Sequence, residues 1–445
     1  MRLSTAVPAL LLCALPCACG DDGPSAPAGA TQAAYVPPPK DKRAPQDEAT
    51  RARQGFPIQL PRGEGPELER ARRALERGDA PEASAALLAL GEGLEEELLR
   101  ARLAALEGDG IGAVRRIEAA RATHPDQSVV YATACEIHAA DGRLGSAEAE
   151  VREGLAVCGP TPELSRARGV LALARQGGAR VGLEHLLDAR RVDPGLPFLE
   201  RPLYEAHLLL GRQALADELP LDALGHARAA LLVLPGDVEA RTLLGDAQSS
   251  AGRLDEALET FEALLADGAR VRDTLALLCQ RAGTAALVEG RRDVALERHL
   301  RARALGLAEQ DLGFGATLIA EAADAALEQG LAAYAERDLA RAGAGFERAL
   351  ELDPTLLSAR NHLAVVRFLE ERYADAAGLW SDLLARARAE GVALPEPVEL
   401  NLTKALLLDG REAEAREVLA TWLAAEPEGP EADTARALLA ELDGD

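Results

Sequence analysis

Cysteine and histidine are the side chains of this sequence with the most chemistry to offer. The chain has 445 residues and six cysteines, and three of these, Cys13, Cys17 and Cys19, are clustered near its start. Its seven histidines are scattered, and no pair has the spacing of metal ligands on one helix face. HExxH, GxSxG, P-loop and CxxCH motifs, and a GxGxxG ahead of a helix, are absent. The sequence therefore predicts no catalytic residue, cofactor or metal site.

The clustered cysteines lie at the end of an apolar stretch. Arg2 gives a short basic start, residues 6–15 are almost wholly apolar, and Cys19 stands between Ala18 and Gly20. An apolar stretch of this length suits a signal peptide better than a membrane span. The segment is similar to a bacterial lipoprotein signal peptide, in which a small residue precedes a cysteine that becomes acylated.

That resemblance implies a signal peptide over residues 1–18 and a lipid on Cys19. Cys17 is the competing position, although Pro16 precedes it directly, and Pro16 also stands where the motif favours leucine. Cleavage without a lipid and an uncleaved chain are the other two alternatives. With the lipid, the protein is expected in the bacterial cell envelope, anchored to a membrane and facing the periplasm or the exterior.

The region after Cys19 is rich in proline and lacks helical periodicity. Residues 19–65 contain eight prolines, three of them consecutive at Pro37, Pro38 and Pro39. Such composition is typical of a disordered tether.

Composition favours helices in the rest of the chain. Strong helix formers dominate, and aromatic residues make up 3% of the sequence. The net charge of −24 makes nucleic acid an unfavourable partner, since phosphate is repelled. No apolar stretch is long enough to cross a bilayer, so no membrane-spanning helix is expected.

Three stretches of similar pattern, 243–265, 330–354 and 405–427, each predict a helix, a short turn and a second helix. They resemble the tetratricopeptide repeat, a helix hairpin of about 34 residues. This resemblance implies an all-α fold, a right-handed superhelical solenoid of about ten hairpins over residues 66–430, with a possible break near 305–318. Residues 431–445 are then a C-terminal capping helix and tail.

The register of the repeats is assigned from motif positions at which the side chain must be small or must be large and apolar. Position 20 of the motif is small, and in the ten repeats it is occupied by Ala83, Ala113, Ala147, Gly182, Ala223, Ala257, Ala295, Ala342, Ala376 and Ala415. Position 24 is large and apolar in eight repeats, and His299 occupies it in the seventh, which predicts a packing histidine. Val170 is a misfit at the small position 8. Several successive repeats keep the family's usual spacing, but Gly182 and Ala223 are separated by 41 and Ala295 and Ala342 by 47.

The resemblance also implies a binding surface, because arrays of this family hold partners on the inner side of their first helices. Carried onto the last three repeats, the predicted groove for a protein or peptide comprises Tyr334, Asn361, His362, Val365, Phe368, Leu369, Asn401, Lys404 and Leu407. A pair of lysines that clamps a terminal carboxylate in related arrays is not matched here, since Lys404 stands alone.

The sequence thus predicts a non-enzymatic, membrane-tethered scaffold that recruits proteins in the cell envelope, with assembly of a secretion, pilus or polysaccharide-export complex as its setting. A repeat protein that binds glycan or peptidoglycan fragments is the alternative. The identity of the partner and the oligomeric state are left open by the sequence.

Overall fold

The computed structural model describes residues 65–392, 394, 398–424 and 429–443. Within them the chain forms 21 α-helices and one short 3-10 helix, without a strand. No helix in this part combines the length and the apolar character that a bilayer crossing needs. The signal peptide of residues 1–18, Cys19 and residues 20–64 of the tether lie outside the described residues.

The helices pair into ten consecutive hairpins, and in each hairpin we call the first helix A and the second helix B. The A helices are α1 (Pro66–Arg77), α3 (Leu94–Leu106), α5 (Ser128–Ala140), α7 (Pro162–Leu173), α9 (Glu200–Ala216), α11 (Val238–Ser250), α13 (Arg272–Val288), α15 (Phe314–Ala335), α17 (Leu357–Leu369) and α19 (Val398–Leu408). The B helices are α2 (Ala80–Leu88), α4 (Gly110–Thr123), α6 (Leu144–Cys158), α8 (Ala179–Val192), α10 (Pro220–Val233), α12 (Leu254–Ala266), α14 (Arg292–Ala304), α16 (Leu339–Leu352), α18 (Tyr373–Glu390) and α20 (Glu412–Leu423). A last helix, α21 (Pro430–Asp443), packs on α20.

The small and large positions of the repeat form the core, as predicted. The nine alanines at position 20 are completely buried, and the residue at position 24 is buried in every hairpin, His299 included. In the eighth hairpin Phe346 packs against Gly330, where a Cβ atom would come within 2.6 Å of the ring. A glycine therefore lets the two helices approach closely enough for the ring to fill the space between them.

The register of the fourth hairpin differs from the prediction by one residue. Gly169, not Val170, makes the close approach of position 8, because a Cβ atom on Gly169 would lie 2.6 Å from Leu186 and 3.1 Å from the carbonyl oxygen of Gly182. Val170 is half-buried beside it. Gly169 and Gly182 are 13 residues apart, whereas Ala101 and Ala113 in the second hairpin are 12 apart, so counting back from Gly182 with the standard spacing reaches Val170.

The long spacing between the seventh and eighth hairpins corresponds to a longer A helix. Helix α15 has 22 residues and follows the 3-10 helix Glu309–Asp311. One hydrophobic cluster continues across this region, from Ala257 through Leu312 to Ala359. The inserted residues thus add apolar surface to the core between the neighbouring hairpins.

Aspartates and a left-handed residue shape the turns within the hairpins. The carboxylates of Asp79, Asp109 and Asp338 accept hydrogen bonds from backbone N–H groups at the start of the following B helix. Most of these turns place a glycine at positive φ. Glu371 takes that place in the ninth hairpin with φ 62°, in a region that glycine occupies with less strain.

Candidate interaction surfaces

We call the side of the array on which the A helices lie its inner side. Neighbouring A helices contact one another from α1 through α11, and α13 contacts α15. We call the exposed side of α13, α15, α17 and α19 the C-terminal inner face.

Four of the nine predicted groove residues contact the aromatic core residues Trp380 and Phe346 or the cluster around them. Trp380 donates an indole N–H hydrogen bond to Asn361 at 2.9 Å. The Phe368 ring lies 5.9 Å from that of Trp380. His362 stacks on Phe346 at 5.4 Å between ring centroids, and half-buried Tyr334 packs against the same cluster. These four side chains are held in place by contacts with the core and form the base of the C-terminal inner face.

The other five groove residues differ in exposure. Val365 and Leu407 are half-buried in the cluster around Trp380, and Asn401 is half-buried on α19. Leu369 is 49% exposed, and Lys404 is exposed. Of the nine, only these last two are exposed rather than half-buried, and the binding role of the set stays a prediction.

Two exposed leucines on the same A helices were missing from the predicted set. Leu277 on α13 is 57% exposed, and Leu331 on α15 is 38% exposed. They occupy positions 2 and 9 of their repeats, both of which belong to the inner side in the family. Applying all the inner positions of the motif to the seventh and eighth repeats would have identified these two leucines.

The first half of the array carries a buried ionic cluster on its A helices. The Glu136 carboxylate on α5 accepts hydrogen bonds from Arg166 on α7, at 2.7 Å, and from Arg102 on α3. Arg166 is 2% exposed and Glu136 is 8% exposed. Burial would raise the pKa of Glu136, but the two guanidinium groups lower it below its ordinary value. Three successive A helices are thus cross-linked by one charged carboxylate.

A loop from farther along the chain closes over this cluster. We call residues 195–199, which precede α9, the inner strap. The Phe198 N–H group donates to the Glu76 carboxylate at 2.8 Å, and Arg201 donates to the Glu76 carbonyl at 3.1 Å. The first hairpin therefore contacts the connection between the fourth and fifth, which is distant in the sequence. The long spacing between Gly182 and Ala223 was the sequence signal for this loop.

Two histidines that are distant in sequence meet in the fifth hairpin. The Nδ1 atoms of His207 on α9 and His226 on α10 lie 3.1 Å apart. Burial and the neighbouring His226 lower the pKa of His207 to about 4. Within the described residues, no group of three or more histidine, cysteine, aspartate or glutamate side chains has a metal-binding arrangement. The pair acts as one N–H···N hydrogen bond between neutral rings.

His299 is buried in the core between two glycines, as a packing histidine. A Cβ atom on Gly283 or Gly315 would come within 2.8 Å or 2.3 Å of its ring. Neither of its ring nitrogens has a hydrogen-bond partner, and burial lowers its pKa. The imidazole fills the place that phenylalanine fills in the sixth and eighth hairpins, with two unpartnered polar atoms added.

The three cysteines within the described part of the chain serve packing. Cys135, Cys158 and Cys279 are buried free thiols. Cys135 donates to the Ala167 carbonyl oxygen and Cys158 to that of Asp126. Burial raises the pKa of all three, so they stay protonated and poorly nucleophilic at neutral pH.

The ten hairpins and their core positions give the chain an all-α helical-repeat fold of the tetratricopeptide type. No family model matches the sequence. No curated protein matches it either.

Solved structures with a similar arrangement are repeat proteins of low sequence identity. PilW, described as a type IV pilus biogenesis factor, is 19% identical, covering 48% of this chain and 94% of its own, with a TM-score of 0.34. A tetratricopeptide repeat protein from Parabacteroides merdae is 16% identical over 62% of this chain and 99% of its own, with a TM-score of 0.30. The human IFIT1 dimer with m7Gppp-AAAA is 16% identical over 85% and 86%, with a TM-score of 0.24.

Proposed function

We propose that this protein is a non-enzymatic scaffold that recruits a protein partner on its C-terminal inner face. The observation that carries the proposal is the exposure of three leucines, Leu277, Leu331 and Leu369, on three successive A helices. Covering exposed leucines with a partner is favourable, because it removes apolar surface from water. The side formed by the A helices suits an extended peptide or a helix. Lys404 adds one exposed cation on α19.

The setting that we propose is the bacterial envelope. The amino-terminal segment supports a lipid on Cys19, with the proline-rich tether leading to the array. Assembly of a secretion, pilus or polysaccharide-export complex is the task that suits a tethered scaffold. The acidic net charge of −24 favours a protein partner over nucleic acid.

The test is cross-linking in cells followed by mass spectrometry. We compare the wild type with the double variant Leu331→Glu/Leu369→Glu, and we use Leu232→Glu as the control. Leu232 is 85% exposed but lies on the B helix α10. Leu369 is a better target than Phe368, because a charge on Phe368 would also disturb Trp380.

We expect the double variant to lose the partners that the wild type and the Leu232→Glu control both capture. Equal capture by all three proteins would disprove the proposed surface, and capture of glycan alone would favour the glycan-binding alternative. A Cys19→Ala variant tests the anchor separately, since it should leave the membrane fraction while its array still binds the partner.

A further inference from the structure

The inner side of the first three hairpins already holds a peptide segment, and that segment belongs to the chain itself. The inner strap is anchored at both ends by Leu196 and Leu199, which are buried in the core of the fourth and fifth hairpins. Between these anchors, Pro197 and Phe198 reach the A helices of the earlier hairpins. The contact is therefore a loop seated on a surface that other hairpins build.

The surface forms hydrogen bonds with both the carbonyl group and the N–H group of the strap's main chain. Arg166 donates to the carbonyl oxygen of Pro197, and the Glu76 carboxylate accepts the N–H group of Phe198. The two groups belong to one peptide bond, so the surface recognises main chain whatever its side chains are. Arg166 and Glu76 lie on α7 and α1, so the position of both groups is fixed by separate helices.

The surface also holds the side chain of the strap. The guanidinium carbon of Arg102 lies 4.2 Å from the centroid of the Phe198 ring, within the range of a cation–π contact. Glu136 fixes Arg102 in this position. The ring also packs against the apolar cluster of the first two hairpins, which includes Leu75 and Leu103.

The strap leaves part of this site unfilled. A cavity of about 540 Å³ adjoins the ring and is lined by Leu106, Ile137 and Val170 together with Arg102. Phe198 also has φ 60°, a strained conformation for a residue with a side chain. The strap therefore binds with a strained backbone at Phe198. It also fills only part of the space that the site offers.

We propose that the inner side of the first three hairpins is a second peptide-binding surface, which residues 195–199 occupy in cis and which accepts a partner segment with a proline–aromatic pair. Arg166 and Glu76 bind the backbone of the partner, Arg102 stacks on its aromatic ring, and the adjoining cavity has room for a ring larger than phenylalanine. The strap competes with the partner and keeps the surface closed until the partner is present.

The test uses a fluorescent peptide with the sequence of residues 193–199, DPGLPFL, and a double variant, Pro197→Gly/Phe198→Ala, of the full chain. The variant removes the strap's ring, and alanine keeps the unfavourable positive φ at position 198, so the backbone of the strap is held less firmly. By fluorescence anisotropy we expect the variant to bind the peptide at least tenfold more tightly than the wild type. A peptide with tryptophan in place of phenylalanine should bind at least as well, and one with aspartate should not bind. A folded variant that binds none of these peptides, or all of them equally, overturns the proposal.

A measurement on the wild type covers the case in which the double variant does not fold. Amide hydrogen exchange is followed at Phe198, whose N–H group is bonded to Glu76. Millimolar tryptophan peptide should accelerate this exchange by displacing the strap, whereas the aspartate peptide should not. Unchanged exchange with both peptides means that the strap is only a structural brace, and the proposal fails.

Discussion

The two halves of the array use the same hairpin for different purposes. In the first half, Glu76 joins the first hairpin to the strap before the fifth, and Glu136 joins three A helices. In the second half, contacts such as Arg303 to the carbonyl of Leu352 connect neighbouring hairpins, and leucines on the inner face are exposed. A repeat array whose hairpins contact only their neighbours can unfold one part at a time. Contacts between hairpins that are distant in the sequence make those hairpins unfold together. We infer that the first half behaves as one cooperative unit and the second as a linear array.

The largest effect is expected from Glu136→Gln, which removes the carboxylate that joins three A helices of the first half. The substitution keeps the shape of the side chain but leaves Arg102 and Arg166 buried without their shared carboxylate. Breaking a buried ion pair by removing one partner costs about 3–5 kcal/mol. Hydrogen exchange should show that the first four hairpins lose protection together.

The control for this variant is Glu336→Gln in the second half. The ion pair between Glu336 and Arg341 spans 3.2 Å, and the side chains are 64% and 69% exposed. Loss of such a pair costs about 0–1 kcal/mol. Similar losses in the two variants would contradict the role assigned to the buried cluster.

A smaller and more local effect is expected from Gly345→Ala in the second half. A Cβ atom at Gly345 would lie 2.7 Å from the Cα atom of Gly330, so backbone must move. Overpacking of this kind costs about 1–3 kcal/mol. Urea unfolding should show the loss, and hydrogen exchange should confine it to the eighth hairpin and its neighbours.

Gly378→Ala is the matched control on α18. A Cβ atom there meets nothing within 4 Å, so the higher helix propensity of alanine should stabilise the protein by about 1 kcal/mol. If Gly345→Ala exposed the first half to exchange as well, the two halves would not be independent.

His299→Phe should stabilise the joint between the seventh and eighth hairpins and reduce its sensitivity to acid. Removing two unpartnered ring nitrogens at neutral pH is worth about 1 kcal/mol. Because burial lowers the pKa of His299, the unfolded chain binds more protons below about pH 6.5, the usual value for histidine. Stability is therefore lost as the pH falls below that value, and this loss should be smaller in the variant.

Urea unfolding at pH 7.5 and pH 5.5 measures both effects. His124→Gln, in the connection between α4 and α5, serves as the control. An unchanged difference between the two pH values in His299→Phe would show that other groups, such as His207, dominate the acid response.

The sequence was sufficient for the hairpins but not for the contacts between distant ones. Position 20 is predictable because a helix crossing excludes large side chains, and Ala83 or Ala415 is accordingly buried. The one-residue error at Val170 arose because turn length is a local detail that the repeat pattern does not carry. The long spacing between Gly182 and Ala223 indicated additional residues but not where they pack, because the contact of Phe198 with Glu76 depends on how the first four hairpins stack. The exposed leucines of the groove could have been found, since they follow the repeat positions.

The smallest effect is expected from Glu371→Gly in the turn of the ninth hairpin. With φ 62°, Glu371 is strained by its Cβ atom, and glycine would relieve this strain. The more flexible unfolded chain offsets part of the gain, so we expect stabilisation of about 0.5 kcal/mol. Urea unfolding should show it, and exchange should slow only in the turn between α17 and α18. The same change at Glu370, which has negative φ, should destabilise the protein, because glycine relieves no strain there, makes the unfolded chain more flexible and removes the carboxylate that accepts from Arg367 at 2.8 Å. A gain in both variants would mean that the turn, not its left-handed residue, limits the stability of the linear half.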